Sequence, residues 1–341
     1  MFYFQNDYSH GAHPKVLEHL VSTNSEPLPG YGTDIYTERA KEKIRKACKC
    51  DNADVYFLAG GTQTNQVVVS SMLHRTEGVI SPVTGHVAQH EAGAIEYTGH
   101  KVLTLPQKEG KISPCDLKNY LCNFFNDDNH EHAVFPGMVY ISHPTEYGML
   151  YSKAELQGLS EVCHEYEIPL FMDGARLGYA LQSPKNDVEL SDIAEYCDVF
   201  YIGGTKMGTL CGEAVVFTKN NTPKRFPTLI KQNGALLAKG RLTGVQFDAL
   251  FTDNLYEQIG QHAIEKAQKL KQILTDKGYE FFIDSPTNQQ FIILNDEQYR
   301  KLAENVVFSF WERLDGERIV IRLATSWATT DEDLEELKKY I

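Results

Sequence analysis

The 341-residue chain is 42% hydrophobic and 23% charged, the balance of a globular protein with core enough for one large domain and a smaller one. Its formal net charge of −13 argues against a nucleic-acid or anionic-membrane partner, because both call for a basic surface. No apolar run nears the ~18–20 residues of a membrane span.

The opening "MFYFQNDYSHG" has neither a basic n-region nor a long apolar core, so no secretory signal is expected there. The seven cysteines form no paired framework, and Cys48 and Cys50 make only a C-x-C, too close for the usual zinc spacing. Free thiols in a reducing cytoplasm are the expectation. "ADVYFLAGG" (53–61) reads as a strand ending in a glycine turn, and "TNQVVVSSMLHR" (64–75) as the helix that follows. "GVISP", "HKVLTLP", "GMVYIS", "IPLFMDG", "DVFYIGG" and "EAVVFT" come next. Each is short, rich in β-branched or aromatic residues, and closed by Gly, Pro or Ser. The "HEH" of residues 130–132 lies in a polar loop with no third ligand in sight, and no metal site is expected. Amphipathic helices such as "SKAELQGLSEVCHEYE" separate several of the strands. Apolar strands alternating with helices predict an α/β fold with a mainly parallel sheet covered on both faces. From about Asn233 the texture changes: a long helical segment (253–278), three strands and a capped last helix, "TTDEDLEELKKYI". The expected division is therefore a large domain over 1–235 and a small α+β domain over 236–341.

Three strand ends hold unusual residues. In "AGGTQTNQ" (59–66), Gly60 and Gly61 free backbone N–H groups at a helix start and Thr62 adds a hydroxyl, which makes an anion pocket or simply a tight turn. In "FMDGARLGYAL" (171–181), Asp173 closes an apolar strand with Arg176 three residues on. That arrangement is either a local ion pair or an acid at the edge where open α/β sheets place ligands. In "GGTKMGTLCGEA" (203–214), Lys206 sits between two buried-strand patterns. Burying an unpaired ammonium costs about 2–5 kcal/mol, so such a lysine pairs with an acid or carries a covalent bond. A phosphate cradle, an acid and a buried lysine in this order match the needs of pyridoxal 5′-phosphate: the lysine joins its aldehyde, the acid holds its ring nitrogen protonated, and the helix start takes its phosphate.

The chain resembles the low-specificity L-threonine aldolases, within the aldolase and β-eliminating lyase group of fold type I (aspartate aminotransferase-like) pyridoxal-phosphate enzymes. The matching stretches run from "NDYSHGAHPKVLEHL" through "GYGTD", "GGTQTNQ", "GHVAQHEAGAIEYTGHKV", "PTEYG", "MDGAR", "GGTKMG" and "KGRLTG" to "IRLATSW". "HVAQHEAGAIE" joined to "DGAR" is the most discriminating pair. The resemblance implies a seven-stranded-type sheet. It makes Lys206, His86 and Asp173 the catalytic residues, with Lys206 as the Schiff-base lysine, Asp173 on the pyridine nitrogen and His86 stacked on the ring near the substrate hydroxyl. Gly60, Gly61, Thr62 and Thr205 are implied around the cofactor, helped by Arg241 from across a subunit interface. Asn6, Arg176 and Arg322 are implied on the substrate side, where bidentate guanidinium–carboxylate pairing favours arginine. His90 and His100 are read as structural. The implied reaction is cleavage of L-threonine or L-allo-threonine to glycine and an aldehyde in a homo-oligomer, dimer or tetramer. β-Elimination or cleavage of a phenylserine-type substrate on the same scaffold is the alternative. The chain departs from the commonest pattern at "GTK", at "NDYSHG" and at "SHPTEYG", all near the substrate side.

Overall fold

The structure is a computed structural model that describes residues 1–341. A two-residue strand β1 (Phe2–Tyr3) precedes seven strands of one sheet: β2 (Asp54–Leu58), β3 (Glu77–Pro82), β4 (Val102–Leu105), β5 (Phe135–Ser142), β6 (Leu170–Asp173), β7 (Val199–Gly203) and β8 (Glu213–Phe217). Their order is β2-β8-β7-β6-β5-β3-β4. All pairs are parallel except the two made by β8, which runs antiparallel to β2 and β7. This is the α/β sheet expected of fold type I, with helices on both faces.

Alternation along each strand sends side chains to two separate cores. Ile80, Val139, Ile141, Met172, Phe200 and Ile202 face one layer of helices, while Val79, Met138, Tyr140, Phe171 and Tyr201 face the other. Hence the strands read as continuous apolar runs. The register lines up one edge of the sheet: Ser142 lies beside Asp173, and Gly203 and Leu58 both lie beside Glu213. Because β8 runs backwards, its first residue joins the last residues of its neighbours at this edge. The Gly60–Thr62 turn, Asp173, Lys206 and Glu213 therefore leave the sheet on one side, at the carboxyl ends of the parallel strands.

The C-terminal region builds a four-stranded antiparallel sheet from β9 (Glu280–Ile283), β10 (Gln289–Asn295), β12 (Ser309–Arg313) and β13 (Arg318–Ala324), in the order β12-β13-β10-β9. The short β11 (Val306–Val307) pairs in parallel with β1, and the Phe4 carbonyl accepts from Ala324 N–H at 2.8 Å. The N-terminal arm is thus tied to the small sheet before it crosses to the large one.

The change of hydrophobic core falls later than the change of sequence texture near residue 235. The helix Arg241–Leu250 and the first half of the 22-residue helix Leu255–Asp276 bury Phe247, Leu250, Ile259 and Ala263 in the large core. The second half, from Leu270, enters the small core together with Phe4. A domain division that follows the cores runs through this helix and puts the N-terminal arm with the small domain, which we propose in place of the division near 235. A long amphipathic helix shared by two cores gives no compositional break to read.

Candidate active site

The helix Gly61–Met72 starts without a side-chain cap. Gly60 is extended at φ −167°, and no acceptor in the chain meets the N–H groups of Gly61, Thr62 or Gln63. The first paired N–H is that of Thr64, which donates to the Gly60 carbonyl at 2.9 Å. Three free donors and the positive end of a helix line a cavity of about 580 Å³, into which Gly60, Gly61 and Thr62 all face.

Asp173, 4% exposed, stands at the back of that cavity. Its Oδ2 accepts from Tyr140 Oη at 2.6 Å and Asn65 Nδ2 at 3.1 Å, and its Oδ1 accepts from Ala175 N–H at 3.0 Å. Burial opposes the charge, but the nearby His86 and the Tyr140 and Tyr201 hydroxyls together hold the carboxyl below its usual range. Asn65 also donates to Glu91 Oε1 at 2.8 Å, and the same oxygen lies 3.0 Å from His86 Nδ1. A continuous chain His86–Glu91–Asn65–Asp173 results. Burial works against a charged His86, yet Glu91 and the more distant carboxylates raise its pKa overall.

Lys206 follows β7 in the tight Gly203–Gly208 turn, and Tyr179 Oη donates to its carbonyl. Its ammonium reaches the cavity, and no carboxylate lies within ion-pair distance of it. Burial and then the charge of Arg176 push its pKa down, against weaker pulls from Asp7, Glu146 and Asp173. Of the two readings open for a lysine in this setting, pairing with an acid is therefore not the one the structure adopts. The adjacent Thr205 also lines the cavity, and its hydroxyl is engaged locally: it donates to Glu213 Oε1 at 2.7 Å and accepts from Gly212 N–H at 3.2 Å. Glu213 itself is buried, accepts from Gly204 N–H at 3.0 Å, and is pushed up to about 7 by burial.

Arg176 and Arg322 both reach the cavity, but in different states. Arg176 is saturated by the N-terminal arm: its Nε donates to Asp7 Oδ2 at 2.7 Å and its Nη2 to Asp7 Oδ1 at 3.1 Å. Burial works against the Asp7 charge, but Arg176, Lys206 and Asn288 hold its carboxyl down to about 2. Arg322 on β13 has no carboxylate partner. It donates to Gln289 Oε1 at 2.9 Å, to Ser309 Oγ at 3.1 Å and to the Gln5 carbonyl at 3.2 Å, while its buried Nε has no acceptor. Burial and the charge of Arg176 push it down to about 10. An arginine 9% exposed with an orphaned donor is a place prepared for an anion.

Two expected residues lie elsewhere. Asn6 does not line the cavity; its Oδ1 accepts from Tyr8 N–H and Ser9 Oγ, both at 2.9 Å, in a local turn that presents Tyr8 instead. Arg241 lies outside the cavity, donating to the Glu26 and Thr23 carbonyls at 2.8 and 2.6 Å. Asp7, Glu91, Glu146, Glu213, Tyr8 and Trp311 belong to the site or its supports and were not singled out from sequence. His90, read there as structural, lines the cavity 5.9 Å from the Trp311 ring. Only "NDYSHG" and "SHPTEYG", as departures from the commonest family pattern, pointed toward Asp7, Tyr8 and Glu146.

The donor set fits pyridoxal phosphate: free helix N–H groups for the phosphate, a charged carboxylate for the ring nitrogen, an unpaired lysine for the aldehyde, and a spare guanidinium beyond it.

Comparison with known proteins agrees. A sequence model of the family described as "Beta-eliminating lyase" matches residues 28–295. The low specificity L-threonine aldolase of a Pseudomonas sp. is 30% identical over 338 residues, covering 98% of this chain and 95% of the relative. That of Pseudomonas aeruginosa is 29% identical over 346 residues, covering 99% and 96%. The solved structure of the Leishmania major threonine aldolase superposes with a TM-score of 0.96 at 41% identity, covering 99% of this chain and 98% of that one. With the family model spanning most of its length and a relative aligned almost end to end, this chain belongs to the beta-eliminating lyase family of fold type I enzymes.

Proposed function

We propose that the chain is a pyridoxal-phosphate-dependent aldolase that cleaves L-threonine and L-allo-threonine-type β-hydroxy-α-amino acids to glycine and an aldehyde. The observation that carries this reading is Lys206, a cavity-facing amine with no acid against it. When bound, the cofactor supplies the carbonyl that joins an amine and the ring that accepts the electron pair released at Cα. The free N–H groups of Gly61 and Thr62 would hold its phosphate. Asp173, its pKa held down by His86 and its donors, would accept the ring N–H, and His86 would line the wall beside the ring. Lys206 would hold the cofactor's aldehyde through its amine, whose neutral form burial and the charge of Arg176 favour.

Arg322 grips the substrate carboxylate. Fixing the carboxylate would fix rotation about the substrate's N–Cα bond, and so would decide which Cα bond is presented for cleavage. Arg176 acts one step back: its pair with Asp7 closes the N-terminal arm over the cavity and brings Tyr8 to the wall.

We also propose at least a dimer. Arg241 lies away from the cavity of its own chain, and Leu17 and Val21 on the helix Pro14–Thr23, Tyr31 in the segment after it and Ile35 at the start of the helix Ile35–Ala47 expose apolar side chains. Seven unpaired thiols fit a reducing cytoplasm, and no helix is long and apolar enough to cross a membrane.

Incubation with L-threonine is expected to yield glycine and acetaldehyde in equal amounts; ammonia and a keto acid instead identify a β-eliminating lyase. Asp173→Asn should keep the fold and lose roughly 10²–10³ in cleavage rate, as for other preorganised charge partners, and a near-normal rate moves that role elsewhere. Arg322→Gln should raise KM for threonine at least tenfold while the visible band of bound cofactor is unchanged, measured by aldehyde release and absorbance; the loss of one charge-assisted pair is worth about that much. The neutral amine is the reactive form of Lys206, and a lowered pKa keeps more of it neutral at a given pH. Cofactor uptake by the stripped protein should therefore rise with pH through a midpoint below the ~10.4 of an ordinary lysine, followed by stopped-flow absorbance. Light scattering should give the mass of a dimer or larger, whereas a fully active monomer removes the interface reading.

A further inference from the structure

Four carboxylates line the cavity: Glu91, Glu146, Asp173 and Glu213. Three are occupied. Glu91 is bonded to Asn65 and His86, Asp173 to Tyr140, Asn65 and the Ala175 N–H, and Glu213 to Thr205 and the Gly204 N–H. Glu146 alone has no donor, although it is only 8% exposed. Its oxygens are not among the buried atoms that lack a partner, so the carboxylate opens into the cavity and is free to meet whatever fills it.

Its placement is rigid. Glu146 sits in the turn Thr145–Met149, closed by Thr145 N–H to the Met149 carbonyl and Gly148 N–H to the Thr145 carbonyl, both at 2.8 Å. Gly148 takes φ +71°, and its carbonyl accepts from Thr287 Oγ1 at 3.1 Å and Ser285 Oγ at 3.3 Å, pinning the turn to the small-domain side. The neighbouring Tyr147 packs 6.0 Å from Trp311, over which the Arg322 guanidinium lies at 5.3 Å. The turn that carries Glu146 is therefore packed beside the Trp311–Arg322 wall of the cavity that Glu146 lines. Its charge is also felt at His86, His90, Arg176, Lys206 and Arg322, which surround the same space.

Resting on the aldolase reading above, we propose that Glu146 is the catalytic residue that takes the proton from the substrate's β-hydroxyl. The O–H bond breaks and its proton passes to the Glu146 carboxylate. The O–H electron pair becomes the second C–O bond of the departing aldehyde, and the Cα–Cβ pair stays on the glycine side. Cα then gains one proton and Glu146 returns its own, so the reaction balances with no oxidant or reductant. His86, the residue expected near this hydroxyl from sequence, is the competing acceptor. With Nδ1 held by Glu91 its neutral form keeps a lone pair on Nε2, while Glu91 and the more distant carboxylates raise its pKa against burial and so increase the protonated share at a given pH.

The test compares wild type and Glu146→Gln, both as holoenzyme, in two reactions. One is aldehyde release from L-threonine and L-allo-threonine. The other is exchange of the glycine α-hydrogen in heavy water, followed by NMR, which involves no β-hydroxyl. The expected result is a fall in kcat for cleavage of about 10²–10⁴-fold with the cofactor band intact and glycine exchange little changed. The assignment is overturned if cleavage keeps its wild-type kcat, if only KM rises, or if cleavage and exchange fall together, since the last marks a structural or cofactor-holding role. Failure of the aldolase reading itself is separate: the wild-type protein then releases no aldehyde from either substrate.

Discussion

Lys206 carries its amine into a buried cavity with no carboxylate against it, and much of the molecule is arranged around that unpaired group. A lysine in such a place is tolerable because its pKa falls, and it falls because apolar strand ends desolvate it while Arg176 stands nearby. The compensating acids are held back from it. Asp7 is spent on Arg176, Glu213 on Thr205 and the turn itself, and Asp173 on its own ring of donors. The antiparallel β8 makes this possible, since only a strand running backwards brings Glu213 to the same edge as the loop that bears the lysine. What stability the site forgoes is recovered in the two cores that sandwich the sheet.

The same arrangement explains why the two arginines differ. One cation is neutralised by the N-terminal arm and the other is left without an acid, although both line one cavity. The arm is anchored on the small sheet through β1 and Phe4, while Arg176 belongs to the large domain. The Asp7–Arg176 pair is therefore a clasp between the two halves of the molecule as well as an electrostatic element of the site. Trp311 and Arg322, from the small sheet, complete the wall opposite the Gly61–Thr62 cradle.

Much of this was legible in the residues. Apolar runs ending in "GG", "DG" and "GGTK" mark strand ends directly, because a buried strand and a glycine turn leave a local signature. The capped helices did likewise, as Ser152 and Thr330 show with their reciprocal bonds to Glu155 and Asp333. The direction of β8 left no such mark, since alternation is the same for a strand read either way. Asp7 meets Arg176 across 169 positions of chain, and no local pattern predicts that contact. Glu146 lies in a loop whose chemistry depends on having no partner, and an absence of contacts is invisible in sequence. Asn6 shows the converse, a polar residue in the right stretch whose side chain is consumed by its own turn.

The most direct measurement is borohydride reduction of the cofactor-loaded protein followed by peptide mapping. The account predicts that the cofactor label is fixed on Lys206, within the peptide spanning Gly203 to Ala214. A label on any other lysine, with Lys206 unmodified, would contradict it.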